Sequence, residues 1–327
     1  MSDPIIVTGA AGFIGRNTVA ELNRRGEHNL LLVDTLGSDE KWQNLVGLVY
    51  EDLLQPEQFL SLLEDGGLRK ARSILHLGAC SATTEKDADF LLENNYRYTR
   101  RLCEWALEHK ARFVYASSAA TYGNGELGYN DSDAVTPQLA PLNMYGYSKH
   151  MFDLWALQRG LFAHIVGLKY FNVFGPYEGH KGDMRSVVAK SFEQIRDHGK
   201  VGLFKSYRAE YKDGEQRRDF VYVKDAVDVT LHFALQPFDA PGGLFNCGGG
   251  EARTWVDLAK AVFHALHKPV QIEFVEMPES LRAKYQYFTQ ADDKKLRAAG
   301  YTKPFTRLEE AVHDYVQNYI VAGKCTP

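Results

Sequence analysis

Ile5-Ile6-Val7-Thr8 is a run of four β-branched residues that enters, without a spacer, the segment Gly9-Ala10-Ala11-Gly12-Phe13-Ile14-Gly15. A helical pattern follows and stops at Gly26. Strand, glycine-spaced turn and helix, in that order, open a βαβ unit. The three glycines serve different ends. Gly9 permits the tight turn, Gly12 lets backbone approach a pyrophosphate at the helix N-terminus, and Gly15 allows close helix packing. Asp34 ends the next apolar run, Leu30 to Val33, at the distance where an acid meets a cofactor ribose. An acid there ordinarily favours the free 2′-hydroxyl of NAD. Lys41, seven residues on, suits the 2′-phosphate of NADP, or else is a solvated loop lysine.

The same alternation continues. Gly47 to Tyr50, Ser73 to Leu77, Arg112 to Ala116 and Ile165 to Tyr170 read as further buried strands, with helical stretches at Phe13 to Gly26, Pro56 to Leu63, Asp87 to His109 and from near Tyr145. Near-continuous apolarity predicts a parallel sheet with helices on both faces, a Rossmann-type doubly wound α/β fold. After Phe171 the pattern breaks into a Gly- and charge-rich loop, a helix and the polar stretch Ser206 to Arg218, and strands return at Phe220 to Val223 and Leu244 to Asn246. The expected division is a dinucleotide-binding domain of 1–171 plus about 219–249, and a smaller α/β substrate-binding lobe of about 172–218 and 250–327.

A second constellation is Tyr145-Gly146-Tyr147-Ser148-Lys149, preceded at the end of the fifth strand by Ser117-Ser118. Tyr and Lys four apart share a helix face. A phenol must lose roughly three pKa units, about 4 kcal/mol, to act as a base near neutrality. One ammonium about 6 Å away at an effective dielectric of ~20 supplies under 3 kcal/mol. Lysine alone is marginal, and the positive ring of an oxidised nicotinamide would supply the rest, which ties this motif to the glycine turn.

Other chemistries lack support. No GxSxG elbow surrounds Ser118, so a hydrolase triad is not expected. His264 and His267 lack a third ligand nearby, and Cys80, Cys103, Cys247 and Cys325 are scattered without a CxxC pair, so neither a metal site nor a disulfide framework is expected. A net charge of -4 gives no pull toward nucleic acid or an anionic membrane. Arg217-Arg218, the one paired basic spot, suits a diphosphate better than a polymer. Met1-Ser2-Asp3-Pro4 carries no leader signature and no apolar run reaches ~18 residues, so a cytoplasmic protein is expected.

The glycine turn, Ser117 to Gly123 (Ser-Ser-Ala-Ala-Thr-Tyr-Gly), the Tyr-Lys pair and Arg218 to Val223 together resemble the extended short-chain dehydrogenase/reductases that act on nucleotide sugars. Ala119-Ala120 stand where sugar dehydratases of that superfamily usually carry acids, so the chain resembles the epimerases. Gly78 to Ser81, Thr83 to Glu85, Asn94 to Tyr96, Tyr170 to Val173, Glu178 to Gly182 and Tyr285 to Asp292 are similar to the family of ADP-heptose 6-epimerases. That resemblance implies NADP, with NAD the lesser alternative, held by Phe13, Ile14, Asp34, Thr35, Lys41, Leu77, Gly78, Ala79, Cys80, Ser81, Asn94, Lys149, Val173 and Lys181. It implies Tyr145, Lys149, Ser118 and Lys181 as the catalytic set, and Asn172, Phe204, Arg218 and Tyr285 as holders of an ADP-heptose substrate. It also implies a homo-oligomer, a pentamer in the family. Thr35, Asp183, Lys190 and the long 206–216 segment depart from the family's pattern.

The implied reaction is oxidation at C6 of the heptose, with Tyr145 taking the hydroxyl proton. Half a turn about the exocyclic C5–C6 bond then presents the other face, and Lys181 serves as the proton donor there. The alternatives are a UDP-hexose 4-epimerase, in which one tyrosine serves both faces, and a non-catalytic NADP-binding sensor.

Overall fold

The computed structural model describes residues 3–282 and 285–326, so Met1 and Ser2 of the N-terminal reading, and Pro327, lie outside the described residues. The chain forms two units: residues 1–123, 131–170 and 227–246, and residues 124–130, 171–226 and 247–327.

The first unit is built on a seven-stranded sheet. From one edge its strands are Gly243–Cys247, Val166–Tyr170, Arg112–Ser118, Ser73–His76, Ile5–Thr8, Leu30–Val33 and Asp52–Leu54. From Val166–Tyr170 to Asp52–Leu54 every neighbouring pair is parallel. Ile5–Thr8 and Ser73–His76 each bury all four residues, as the unbroken apolar runs predicted. Ile5–Thr8 has Leu30–Val33 on one side and Ser73–His76 on the other, so the connections reverse direction there. In doubly wound sheets that switch point, at the carboxyl ends of the strands, is where ligands bind.

One strand lies elsewhere than expected. Residues 47–50 are not a strand; Asp52–Leu54 pairs with Leu31 to Val33 instead. Gly47 has φ +79°, and Val49 exchanges both backbone hydrogen bonds with the Asn23 side chain, at 2.8 and 2.9 Å. Those bonds take the backbone groups a ladder would need, and Val49 is exposed. The helical stretch predicted over 87–109 is present as Ala88–Leu91, a π-helical turn Leu92–Arg97, and Tyr98–Glu108.

The second unit holds a three-stranded sheet in which Arg217–Tyr222 is flanked by Asn172–Phe174 and Ala252–Thr254, and a two-stranded parallel pair of Val201–Phe204 with Ile272–Val275. Helices Val187–His198 and Trp255–Ala265 bury one face each, the latter opened by a capping box between Thr254 and Asp257. No helix among the described residues is long and apolar enough to cross a membrane.

Candidate active site

The glycine turn is a packing necessity as well as a binding device. Gly9 has φ +67°, and a Cβ there would lie 2.6 Å from the Gly78 nitrogen; one on Gly15 would lie 2.0 Å from the Gly9 carbonyl oxygen. The helix Phe13–Arg24 then starts from Gly12 with no side-chain cap and no acid in its first turn. A helix N-terminus left in that state favours an anion. The residues present therefore fit a dinucleotide pyrophosphate.

A cleft of about 680 Å³ opens beside this turn. It gathers Gly9, Asp34, Thr35, Lys41, Gly78, Ala79, Cys80 and Asn94 from the sequence reading. The sequence reading missed several of its other walls, among them Glu57, Leu60, Phe90, Arg97 and Arg101. Their helical spacing signalled only amphipathicity, which carries no ligand information. Asp34 is nearly fully buried and its oxygens are committed: Oδ2 accepts from Ala11 N–H at 2.8 Å, and Oδ1 from Thr35 N–H at 2.8 Å and Lys41 Nζ at 2.6 Å. Lys41 thus sits on the acid, and its charge neutralises the feature that would repel a 2′-phosphate. Leu77 follows the strand with its N–H on the Thr8 carbonyl, while Ser81 is exposed and outside this lining.

At the switch point the two central strands are stitched by a buried histidine. Thr99 Oγ1 donates to the Asn95 carbonyl at 2.7 Å, so it accepts from His76 Nε2–H at 2.8 Å; Nδ1 then accepts from the Thr8 hydroxyl at 2.7 Å. Thr8 Oγ1 in turn takes Gly78 N–H at 3.1 Å. Burial, with the Lys149 charge second, drives the His76 pKa down to about 3, so the ring is neutral and its tautomer fixed. Asn95 clasps Cys80 through both backbone groups, at 2.9 Å each, and reaches Ser148 Oγ at 3.0 Å.

Tyr145 and Lys149 stand four apart on the helix Met144–Gln158, capped by Asn143 Oδ1 on Gly146 N–H at 2.8 Å. Gly146 lets this helix lie directly on the segment after Ser118, since a Cβ would be 2.8 Å from the Ala120 carbonyl oxygen. That approach brings Ser118 beside the Tyr145 phenol. Burial raises the Tyr145 pKa, and the neighbouring Ser118 hydroxyl pulls it back. Burial lowers Lys149 to about 8, opposed by the charge of Asp153. The protein groups alone do not yield an ionised phenol at neutrality, in line with the energy argument from sequence. Asp153 is a further group the sequence reading missed, although it lies four residues beyond Lys149 on the same face. Fully buried, it accepts from Tyr115 and Ser117 at 2.7 and 2.8 Å and pairs with the equally buried Lys169 at 3.3 Å.

In the second unit a pocket of about 260 Å³ is lined by Asn172, Val173 and Lys181, with Phe220 and Trp255. Trp255 links it to an aromatic cluster: its Nε1–H donates to Tyr285 at 2.8 Å, and the buried Arg218 guanidinium lies 5.0 Å from the Tyr285 ring and 5.6 Å from Trp255. Phe204 meets Tyr285 edge-on at 6.4 Å. The structure therefore brings Phe204, Arg218 and Tyr285 together. Asp219 was also missed, a buried acid accepting from Gly249, Gly250 and Ala291 N–H groups at 2.8, 2.8 and 2.9 Å. Of the departures, Asp183 is exposed and offers its carbonyl to Lys190, and the 206–216 segment closes on itself through Ser206 N–H and Asp213 at 2.7 Å. Among the described residues no cluster of three metal-ligating side chains exists.

Residues 5–248 match the family described as the NAD dependent epimerase/dehydratase family. The chain is 52% identical to an ADP-L-glycero-D-manno-heptose-6-epimerase of Nitratidesulfovibrio vulgaris over 97% of this chain and 98% of the relative. It is 48% identical to a protein of the same name from Fusobacterium nucleatum over 97% and 98%. A crystal structure of the Helicobacter pylori ADP-L-glycero-D-manno-heptose-6-epimerase superposes with a TM-score of 0.82 at 27% identity, covering 97% of this chain and 96% of that one.

Proposed function

This chain belongs to the NAD dependent epimerase/dehydratase family, and from that premise we propose that it epimerises ADP-D-glycero-D-manno-heptose to the L-glycero form at C6, for the lipopolysaccharide core. Near-full-length similarity to relatives of that name supports the substrate. The observation that carries the chemistry is Tyr145 with Lys149 one turn along the same helix and Ser118 beside the phenol.

A nicotinamide cofactor supplies a hydride acceptor and donor, and its oxidised ring adds the positive charge the phenol needs. Gly9, Gly12 and the helix N-terminus hold its pyrophosphate, and Gly78, Ala79, Cys80 and Asn94 line its cleft. Lys41 favours NADP over NAD in this reading, because its ammonium neutralises Asp34 and offers a donor to a 2′-phosphate. Tyr145, steadied by Ser118, takes the C6 hydroxyl proton as the C6 hydride departs, leaving a ketone. Lys149 holds the phenolate by charge. Half a turn about C5–C6 exposes the opposite ketone face and carries the oxygen away from Tyr145. Lys181 donates the proton there as hydride returns. Asn172 holds the sugar, and Arg218, Phe204 and Tyr285 hold the ADP through charge and stacking. Cytoplasmic location and homo-oligomeric assembly complete the reading, on the resemblance to the family.

Proton NMR of purified protein with ADP-D-glycero-D-manno-heptose tests this directly. Accumulation of the L-glycero epimer is expected, with NADP released on denaturation. Turnover of UDP-galactose with none of the heptose would overturn the substrate, and release of NAD alone would overturn the cofactor.

A further inference from the structure

A fully buried carboxylate stands at the root of the loop that carries Lys181, and the reaction above makes no use of it. Glu178 directly precedes the short helical turn Gly179–Met184 and is 0% exposed. Its Oε2 accepts from Ser186 N–H at 2.7 Å, and its Oε1 accepts from the Ser186 hydroxyl at 2.6 Å and faces Gly175 N–H at 3.5 Å. Its carbonyl accepts from Lys181 N–H at 3.0 Å. One side chain therefore ties the residue entering the loop to the residue leaving it. Ser186 is also the N-cap of the helix Val187–His198, so the clasp is anchored to a regular element.

Closing the loop does not by itself require a charge, since a neutral amide can also accept from Ser186. Burying a carboxylate is costly unless a cation and hydrogen bonds compensate. Two cations face it. Arg185 is engaged with Glu193 on the next helix, at 2.8 and 3.1 Å, and the Lys181 charge acts on the carboxylate. Burial lowers the Lys181 pKa and raises that of Glu178, and each charge opposes the shift of the other. Tyr315, on the helix Leu308–Tyr315, faces the same carboxylate and is pushed up by burial and by that charge.

We infer that Glu178 is the positioning residue for Lys181, clasping its loop at both ends and holding the ammonium charged at the pocket it shares with Asn172, Phe220 and Trp255. The inference rests on Lys181 as the second proton donor. An ammonium that donates must stay protonated in a desolvated pocket, and a buried carboxylate beside it secures that state. Arg185 and Tyr315, the other titratable groups facing Glu178, stay protonated across the assay range, so a moved pH limb reports Lys181.

The test compares Glu178→Gln, Glu178→Asp, Lys181→Met and the Glu178→Gln/Lys181→Met double variant, all with NADP bound and folding checked by circular dichroism. For Glu178→Gln, kcat falls by about tenfold or more, within the range of general acid–base effects, while KM for ADP-heptose stays within about twofold. The high-pH limb of kcat moves to lower pH, and Glu178→Asp, which keeps the charge, returns it toward the native position. In the Lys181→Met background Glu178→Gln costs nothing further. A Glu178→Gln enzyme that melts earlier but keeps native kcat and pH limb would reduce the residue to a structural clasp. If Lys181→Met itself epimerises at the native rate, the second-donor assignment falls, an outcome distinct from a silent Glu178→Gln beside an inactive Lys181→Met.

Discussion

Each unit buries a titratable group against its charged form, a base in the first and an acid in the second. At the heart of the first, burial drives His76 down to about 3 and Lys149 to about 8, so basic groups are pressed toward neutrality. At the heart of the second, Asp219 is pushed up to about 6 despite its three backbone N–H donors. The first unit uses its neutral base to join two strand ends beside the glycine turn; the second uses its acid to tie the strand Arg217–Tyr222 to the segments at Gly249–Gly250 and Ala291.

The largest effect expected from breaking this contrast is on the proton-transfer side. Tyr145→Phe should lower kcat by roughly 10²- to 10⁴-fold while NADP stays bound, because only the hydroxyl is lost and the ring still packs. Turnover by NMR and nucleotide released on denaturation check both halves. Near-native turnover would remove Tyr145 as the base, and loss of NADP would make it a binding residue.

Acid distinguishes the units next. His76 gains its proton only in the unfolded chain between pH 6.5 and 3, so lowering pH from 7 to 5 removes about 2 kcal/mol of stability. Asp219 acts with the opposite sign. Its folded pKa is the raised one, so the native chain takes the proton first and gains about 1 kcal/mol over the same interval. The two partly offset, leaving a net loss of stability. Urea midpoints at pH 7 and 5 should show His76→Gln gaining on the native protein as pH falls, and Asp219→Asn losing. Equal slopes for all three would show that neither group titrates as its burial dictates.

Legibility from sequence divides along the same line. Gly9 and Gly15 could be read because a local steric demand places them, and the same clash distances confirm it: a Cβ at 2.6 or 2.0 Å leaves no other residue. Tyr145 and Lys149 were legible because helical spacing alone puts them on one face. The third strand was misread because Gly47 to Tyr50 has strand composition, while its backbone is claimed by Asn23, a contact no local pattern announces. The contacts of Asp219 and Glu178 and the Trp255–Tyr285 bond were invisible for a similar reason: each joins segments that only the tertiary fold brings together. Resemblance supplied Arg218 and Tyr285, which spacing could not have paired.

Lys41→Ala probes the cofactor side more finely. Its ammonium both neutralises Asp34 and faces a cleft lined by Arg97 and Arg101. Removing it should leave a bare carboxylate against the 2′-phosphate and weaken NADP by about tenfold, roughly 1.4 kcal/mol, more than NAD. Titration of the apoprotein with each nucleotide measures the ratio, and equal losses would return Lys41 to a loop lysine held by Asp34.

The smallest change falls on the substrate side, in Arg218→Lys. The substitution keeps the positive charge but loses the flat guanidinium that lies 5.0 Å from Tyr285 and 5.6 Å from Trp255, and with it the forked donor set that suits a diphosphate. A lysine here carries a more strongly hydrated ammonium into a buried site, so it binds the ADP less well in the ground state and the transition state alike. KM for ADP-heptose should therefore rise several-fold with kcat nearly unchanged, the signature of uniform binding. An equal fall in kcat would mean that this unit acts on the transition state as well as on the nucleotide. The contrast with Tyr145→Phe, which should lower kcat and spare binding, would then no longer hold.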